Sequence, residues 1–161
     1  MRSKLKRDTI VRGLLCIIWL GIIFYNTTRQ GEVSQRGSGE VAKIVSILIN
    51  IPSAIVEIPT IKFSVVNFYV RKNAHFFQYL VLSILLCAAV RKIKLYKTSE
   101  IVLLLFLLLF FSVIDEFIQM YIPDRTSNIF DILIDFSGGI LGMLIYNIGY
   151  KMHKKKVEVQ A

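Results

Sequence analysis

The chain has few of the residues on which small stapled domains and common enzyme motifs depend. Its two cysteines, Cys16 and Cys87, form neither a C-x-x-C metal spacing nor a disulfide framework. The sequence contains no glycine-rich phosphate loop, no Ser-His-Asp order with a nucleophile elbow and no internal repeat. It therefore offers no diagnostic catalytic motif, and we expect no cofactor.

Hydrophobic residues, in contrast, are abundant and occur in long blocks. They make up 55% of the 161 residues, with a mean hydropathy of +0.59, whereas ordinary soluble domains contain about 45–50%. The four longest blocks are residues 11–26, 74–90, 101–122 and 129–150. Each is close to the roughly 17–25 residues that cross a bilayer as a helix, and none alternates like a β-barrel strand. We predict an all-α fold: one integral membrane domain over residues 1–161, with about four transmembrane helices.

The segment between the first two blocks decides the topology, because a fifth span there would invert every later helix. Residues 44–56 are apolar but reach only about half the necessary length. Pro52 and Pro59 also interrupt this part of the chain. We predict a short interfacial or re-entrant helix for the run. Residues 30–39, rich in glycine, serine and charge, are predicted to form a loop.

Basic residues are distributed unevenly between the two sides that a four-span topology creates. One side carries 13 of the 20 lysines and arginines, in residues 1–12, 91–100 and 151–161. The other side, residues 27–73 and 123–128, carries 7. The positive-inside rule makes the first side cytoplasmic, so residues 1–10 and 151–161 become basic cytoplasmic tails. The net charge of +9 is then a topology and lipid-surface signal, and we expect no nucleic-acid partner.

Five ionisable residues lie within or at the edge of the hydrophobic blocks, where an aspartate at a span centre costs roughly 2.5–3.5 kcal/mol on insertion scales. They are His75, Asp115, Glu116, Asp131 and Asp135. In the four-span topology all five fall at the outer, extracytoplasmic ends of the helices, together with Gln119, Lys72 and Arg125. The sequence therefore predicts a polar site on that side of the membrane.

Helical spacing directs these groups into the bundle. One face of the last span repeats at steps of four, three and four through Asp131, Asp135, Gly138 and Gly142. Because Gly138-x-x-x-Gly142 is a small-xxx-small pattern, we expect these glycines to pack against another helix, with the acids on the same face. On the second span, His75, Gln78 and Tyr79 form one polar stripe.

Taken in order, these residues resemble a known family. The set runs Lys72-x-x-His75-Phe76-x-x-Tyr79, then Asp115-Glu116-x-x-Gln119-x-x-x-Pro123-x-Arg125, then Asp131, Asp135, Gly138 and Gly142. It is similar to the VanZ-like family of small bacterial membrane proteins over a core of residues 71–146. The resemblance implies a bacterial cytoplasmic membrane location and a role in the cell envelope, but no reaction. The family's namesake is linked to resistance to the glycopeptide antibiotic teicoplanin. One departure is Asp135, where family members often carry asparagine.

Three functions fit this pattern, and an interhelical hydrogen-bond network with a structural role alone is the alternative to all of them. The first function is an envelope accessory protein that binds membrane lipids or glycan and lipid precursors and changes susceptibility to antibiotics such as teicoplanin. The second is an intramembrane hydrolase or transferase that acts on a lipid-linked phosphate, and the third is an ion-coupled transporter. A transporter is disfavoured because the acids of this chain all lie at one depth, whereas a proton or ion relay should continue toward the cytoplasmic side. We expect no ionisable residue in the opposite halves of the spans.

Individual residues can be given candidate roles. Glu116 or Asp115 is the candidate general base, with His75 as its partner. The candidate metal ligands are His75, Glu116 and Asp131, because carboxylates with an imidazole can hold a divalent cation. The predicted ligand-binding set comprises Lys72, His75, Tyr79, Asp115, Glu116, Gln119, Arg125, Asp131 and Asp135. Monomer and homo-oligomer both remain open.

Overall fold

The computed structural model is almost entirely helical over the residues that it describes, which are 2–28, 31–50, 61–93, 95–123 and 127–160. The helices are α1 (Arg2–Thr28), α2 (Gly31–Asn50), α3 (Phe63–Val90), α4 (Lys97–Gln119) and α5 (Ile129–Gln160). A short 3-10 helix, Arg91–Ile93, follows α3. No strand occurs among the described residues, and the predicted all-α fold is confirmed.

Four of these helices are long and apolar enough to cross a membrane, as predicted. The candidate spans are Arg7–Thr28, Phe63–Ile93, Lys97–Gln119 and Ile129–Glu158. Large apolar side chains are exposed on their outward surfaces, among them Ile17, Phe106 and Leu144. Lipid tails solvate such surfaces, so contacts between the helices depend on close packing and on hydrogen bonds.

The helix α2 departs from the sequence prediction. A loop is predicted for residues 30–39, but the chain is helical from Gly31 to Asn50, so that prediction is wrong. The helix packs against α3. Ala42 is fully buried, and at the end of α2 the Oδ1 of Asn50 accepts a 2.9 Å hydrogen bond from the backbone N–H of Ile61, just before α3. Such tertiary contacts outweigh the low helix propensity of glycine. The predicted helix over residues 44–56 is present as far as residue 50, and residues 51–60 lie outside the described part.

The helix α3 begins at Phe63, well before residue 74, where the second span is predicted to start. Charged Arg71 and Lys72 make this stretch look like a boundary in the sequence. In the fold Lys72 forms an ion pair with Asp131 of α5, so its charge is balanced and the helix continues through it. Ion pairing of this kind is how charged side chains are accommodated between membrane helices.

The pair α3 and α5 has the most extensive contact in the bundle, and two glycines set its register. A Cβ atom at Gly138 would lie 2.2 Å from the carbonyl oxygen of Phe76, and one at Gly142 would lie 2.4 Å from that of Leu80. Because the residue numbers increase together along both contacts, the two helices run parallel. Only residues without a side chain allow backbones to approach this closely.

The helices α1 and α4 run in the opposite direction and pack against this pair. The indole Nε1 of Trp19 donates to the carbonyl of Gln78 on α3 at 2.9 Å. The rings of Phe24 on α1 and Phe111 on α4 meet edge to face, with centroids 6.5 Å apart. This alternation brings together the end of α1, the early part of α3, the end of α4 and the start of α5, which we call the polar end of the bundle.

Two arginines lie toward the opposite end. Nη1 of Arg12 donates to the carbonyl of Ala88 at 3.2 Å, while Nη2 of Arg91 donates to Asn147 Oδ1 at 2.9 Å. Nε of Arg91 lies 3.5 Å from Glu100 Oε1. The expectation that these halves of the spans carry no ionisable residue is therefore wrong. Backbone and side-chain oxygens of neighbouring helices accept hydrogen bonds from Nη1 of Arg12 and Nη2 of Arg91, whereas Nη1 of Arg91 has no partner among the described residues.

Candidate functional site

Three ionisable side chains from three helices meet at the polar end. His75 of α3 faces Asp115 of α4 and Asp135 of α5, and we call these three residues the His–Asp cluster. Nδ1 of His75 lies 3.4 Å from Asp135 Oδ1 and 3.7 Å from Asp115 Oδ2. Both aspartate side chains are fully buried, and that of His75 is 17% exposed. The cluster therefore holds two acids in the interior of a membrane protein, where uncompensated charge is expensive.

Asp115 is held in place by hydrogen bonds from two helices. The hydroxyl of Thr27, near the end of α1, donates to Oδ1, and Nε2 of Gln119 donates to Oδ2 at 3.4 Å. Thr27 is itself buried, and its hydroxyl also lies 3.0 Å from the carbonyl oxygen of Ile23, a second possible acceptor. In the sequence Thr27 marks only the end of a hydrophobic block, which is why it is absent from the predicted site.

Asp135 is held much less well. Neither of its carboxylate oxygens has a hydrogen-bond partner among the described residues, and Nδ1 of His75 has none either. The hydroxyls of Tyr79 and Ser83, which follow His75 by one and two turns of α3, are likewise buried and unpartnered. Buried polar groups in proteins are nearly always hydrogen-bonded. Several buried polar atoms in this part of the polar end therefore lack a hydrogen bond of good geometry among the described residues.

In Glu116, by contrast, both carboxylate oxygens accept hydrogen bonds. Its Oε1 accepts from Nε2 of Gln119 at 3.1 Å, and its Oε2 accepts from the backbone N–H of Asn128 at 2.8 Å. Asn128 also caps α5, because its Oδ1 accepts from the backbone N–H of Phe130 at 3.0 Å. Glu116 thus fastens the end of α4 to the start of α5, which is a structural role.

The ion pair of Lys72 and Asp131 forms part of the wall of a partly open cavity of about 380 Å³. The side chains of the pair are 20% and 8% exposed. The other lining residues are Phe68, Tyr69, Asn73, Phe76, Asn128, Phe130 and Ile134. Ligand sites are typically apolar clefts with a few placed polar groups, and this cavity, which we call the Lys72 cavity, has that character.

The predicted candidates therefore fall into two groups. The structure places His75 beside Asp115 and Asp135. The other two candidate metal ligands have different partners: Glu116 accepts a hydrogen bond from Asn128, and Asp131 forms an ion pair with Lys72. Arg125 lies outside the described residues. Thr27, Asn128 and the aromatic residues that line the cavity are absent from the predicted ligand-binding set. An asparagine directly before an apolar helical run was the available signal for Asn128, because it is a preferred N-cap.

Comparison of the sequence with known proteins identifies one matching family. A profile of the VanZ/LLP1 family matches residues 13–150, which is most of the chain and contains the His–Asp cluster and the Lys72 cavity. No curated protein and no solved structure gives a significant match.

Proposed function

Because this chain belongs to the VanZ/LLP1 family, we propose that it is an accessory protein of the bacterial cell envelope. Its polar end binds a lipid- or glycan-linked envelope component and thereby lowers susceptibility to glycopeptide antibiotics such as teicoplanin. The observation that carries the proposal is the set of buried ionisable side chains from three membrane helices beside a partly open cavity. Hydrogen bonds between membrane helices average only about 0.6 kcal/mol, so stability is a weak reason to keep so many acids there.

The Lys72 cavity indicates the chemistry of this component. The ammonium group of Lys72 is partly exposed, so an anionic headgroup such as a phosphate can bind it in competition with Asp131. The exposed rings of Tyr69 and Phe130 offer an apolar wall to an acyl chain or to the face of a sugar. A ligand with a charged head and an apolar body matches both features.

Truncating an aromatic wall of the cavity is expected to weaken protection against teicoplanin. Tyr69→Ala removes a ring that lines the cavity but is 60% exposed, so the fold loses little. The matched control is Tyr121→Ala, because Tyr121 is 71% exposed and also packs edge to face on a neighbouring ring, but is not a lining residue. We expect wild-type chain and the control to raise the inhibitory concentration in a susceptible host, and Tyr69→Ala to lose at least about half of this protection.

Membrane abundance of each variant is to be matched by immunoblot in this experiment. Equal protection by Tyr69→Ala and Tyr121→Ala would contradict a role for the cavity. A wild-type chain that is inserted at normal abundance and gives no protection would contradict the link to glycopeptide susceptibility altogether.

We also propose that the polar end faces the extracytoplasmic side and that both termini are cytoplasmic. The concentration of basic residues at the other end supports this orientation. A cysteine introduced at exposed Ser127, at the polar end, should react with a membrane-impermeant reagent in intact cells. One at exposed Ser99, at the start of α4, should react only after permeabilisation; Cys16 and Cys87 are buried and give a low background. The reverse pattern would overturn the orientation.

A further inference from the structure

We propose that His75, Asp115 and Asp135 bind a divalent transition-metal ion, and that Zn²⁺ is the ion that their donors and spacing suit best. This inference goes beyond the proposed function, because it concerns what the His–Asp cluster holds and not how the protein affects antibiotics. The spacing of the donor atoms, the charge of the cluster and the buried polar atoms without hydrogen bonds all favour a bound ion.

The donor atoms are spaced like ligands of one ion. Nδ1 of His75 is 3.4 Å from Asp135 Oδ1 and 3.7 Å from Asp115 Oδ2, and the three residues each offer an atom within 4.8 Å of the others. These distances exceed the roughly 2.7–3.2 Å of a good N–H···O hydrogen bond. Two ligands that are each about 2.1 Å from a tetrahedral Zn²⁺ are about 3.4 Å apart. The distances from His75 are therefore long for direct hydrogen bonds, and that from His75 to Asp135 equals the separation of two ligands of a tetrahedral ion.

The charge of the cluster is balanced by a divalent cation. Two ionised aspartates with a neutral imidazole carry a formal charge of −2, and protonation of His75 would cancel only half of it. Lys72 is already paired with Asp131. Because an unpaired buried charge costs several kcal/mol, the buried set needs either two added protons or one divalent ion to become neutral, and a divalent ion does so with both aspartates ionised.

The unfilled bonding capacity of Asp135 points to the same occupant. Its side chain is fully buried, neither of its oxygens has a hydrogen bond of good geometry among the described residues, and Oδ1 lies 3.4 Å from Nδ1 of His75, which also lacks one. Asp115 has the outer support that metal-binding carboxylates usually have, since Thr27 and Gln119 donate to it. A hydrogen-bond network with a purely structural role would leave fewer of these polar atoms without a hydrogen bond.

The donor set also selects the class of metal. An imidazole favours transition metals such as Zn²⁺ over Mg²⁺ or Ca²⁺, which prefer oxygen ligands alone. Three protein ligands leave a fourth position of a tetrahedral ion for water or another ligand. The Lys72 cavity lies one helical turn earlier on the same two helices, since Lys72 precedes His75 and Asp131 precedes Asp135.

The test measures metal in the full-length protein, purified in detergent through an affinity tag without histidine. We expect about one Zn²⁺ per chain by elemental mass spectrometry. Removal of the ion with a chelator should lower the temperature of thermal unfolding, and added Zn²⁺ should restore it, because a ligand that binds only the folded state stabilises it. Mn²⁺ should bind more weakly and Mg²⁺ should have no effect.

Four variants locate the ion. His75→Ala and Asp135→Asn should weaken Zn²⁺ binding by at least about tenfold, because each removes a direct ligand. His153→Ala and Glu158→Gln change the other histidine and an exposed acid on α5, and both should retain the metal. Retention of Zn²⁺ by both cluster variants would overturn the assignment, whatever their antibiotic phenotype.

If the cluster variants do not fold, the metal content and thermal unfolding of the wild-type chain decide. A folded wild-type chain that is metal-free as purified, and that responds to neither Zn²⁺ nor Mn²⁺ in titration or thermal unfolding, would overturn the proposal. These readouts use purified protein, so a negative teicoplanin result with bound metal refutes only the proposed function, and the converse outcome refutes only the metal site.

Discussion

Alanine at Gly138 is expected to disrupt the packing of α3 against α5 and to lower the free energy of unfolding by about 3 kcal/mol or more. The added methyl group would lie 2.2 Å from the carbonyl oxygen of Phe76. This neighbour is backbone, so it cannot rotate away, and the helices must separate. Overpacking of a core typically costs about 1–3 kcal/mol when side chains can adjust, and here they cannot. Gly142→Ala, with its methyl 2.4 Å from the carbonyl oxygen of Leu80, should act in the same direction.

Another glycine of α5 provides the matched control. A Cβ at Gly149 would meet no atom within 4 Å. Gly149→Ala should therefore be neutral or stabilising by up to about 1 kcal/mol, because alanine is the better helix former. Thermal unfolding in detergent, with size-exclusion profiles of each variant, compares the three substitutions. Unfolding temperatures of Gly138→Ala and Gly149→Ala that coincide would contradict the close approach of α3 and α5.

Removing only one partner of the Lys72–Asp131 pair is expected to destabilise the protein by about 1–3 kcal/mol. Lys72→Met leaves the Asp131 carboxylate, which is 8% exposed, without its cation. Breaking a fully buried pair costs about 3–5 kcal/mol, and we expect less here because the Lys72 side chain remains 20% exposed. The double variant Lys72→Met/Asp131→Asn should recover most of the loss, because it leaves no unpaired charge.

A double-mutant cycle on the free energy of unfolding checks this expectation. The two single variants should each be less stable than the double variant, which corresponds to a coupling energy of at least about 1 kcal/mol. Strictly additive losses would mean that the two side chains do not interact in the folded protein. That result would mean that Lys72 and Asp131 form no ion pair in the wall of the Lys72 cavity.

The four spans and the gathering of polar residues at one end of the bundle follow from the sequence because both depend on simple periodicity. Block length predicts the spans, and steps of four, three and four predict that Asp131, Asp135, Gly138 and Gly142 share a face. In the structure all four of these residues are buried. Antiparallel alternation of consecutive spans then brings the ends of α1 and α4 to the starts of α3 and α5.

Which polar groups touch cannot be predicted in the same way, because the answer depends on small rotations and axial shifts of one helix against another. Glu116 and Asp115 are adjacent in sequence, yet one is engaged by the start of α5 and the other faces His75. The helical start of α2 is not evident from the sequence either, since its glycine-rich stretch favours a loop, whereas in the structure the helix packs against α3.

The most direct test of a functional polar end measures teicoplanin susceptibility and unfolding temperature in parallel for the Lys72→Met/Asp131→Asn variant. Wild-type chain and the variant are expressed at equal membrane abundance in a susceptible host. We expect the variant to unfold within a few degrees of the wild type and yet to give no protection, because the ammonium group that binds the anionic component is gone. A variant that is equally stable and protects as well as the wild type would show that this pair only supports the fold, and would contradict the proposed function.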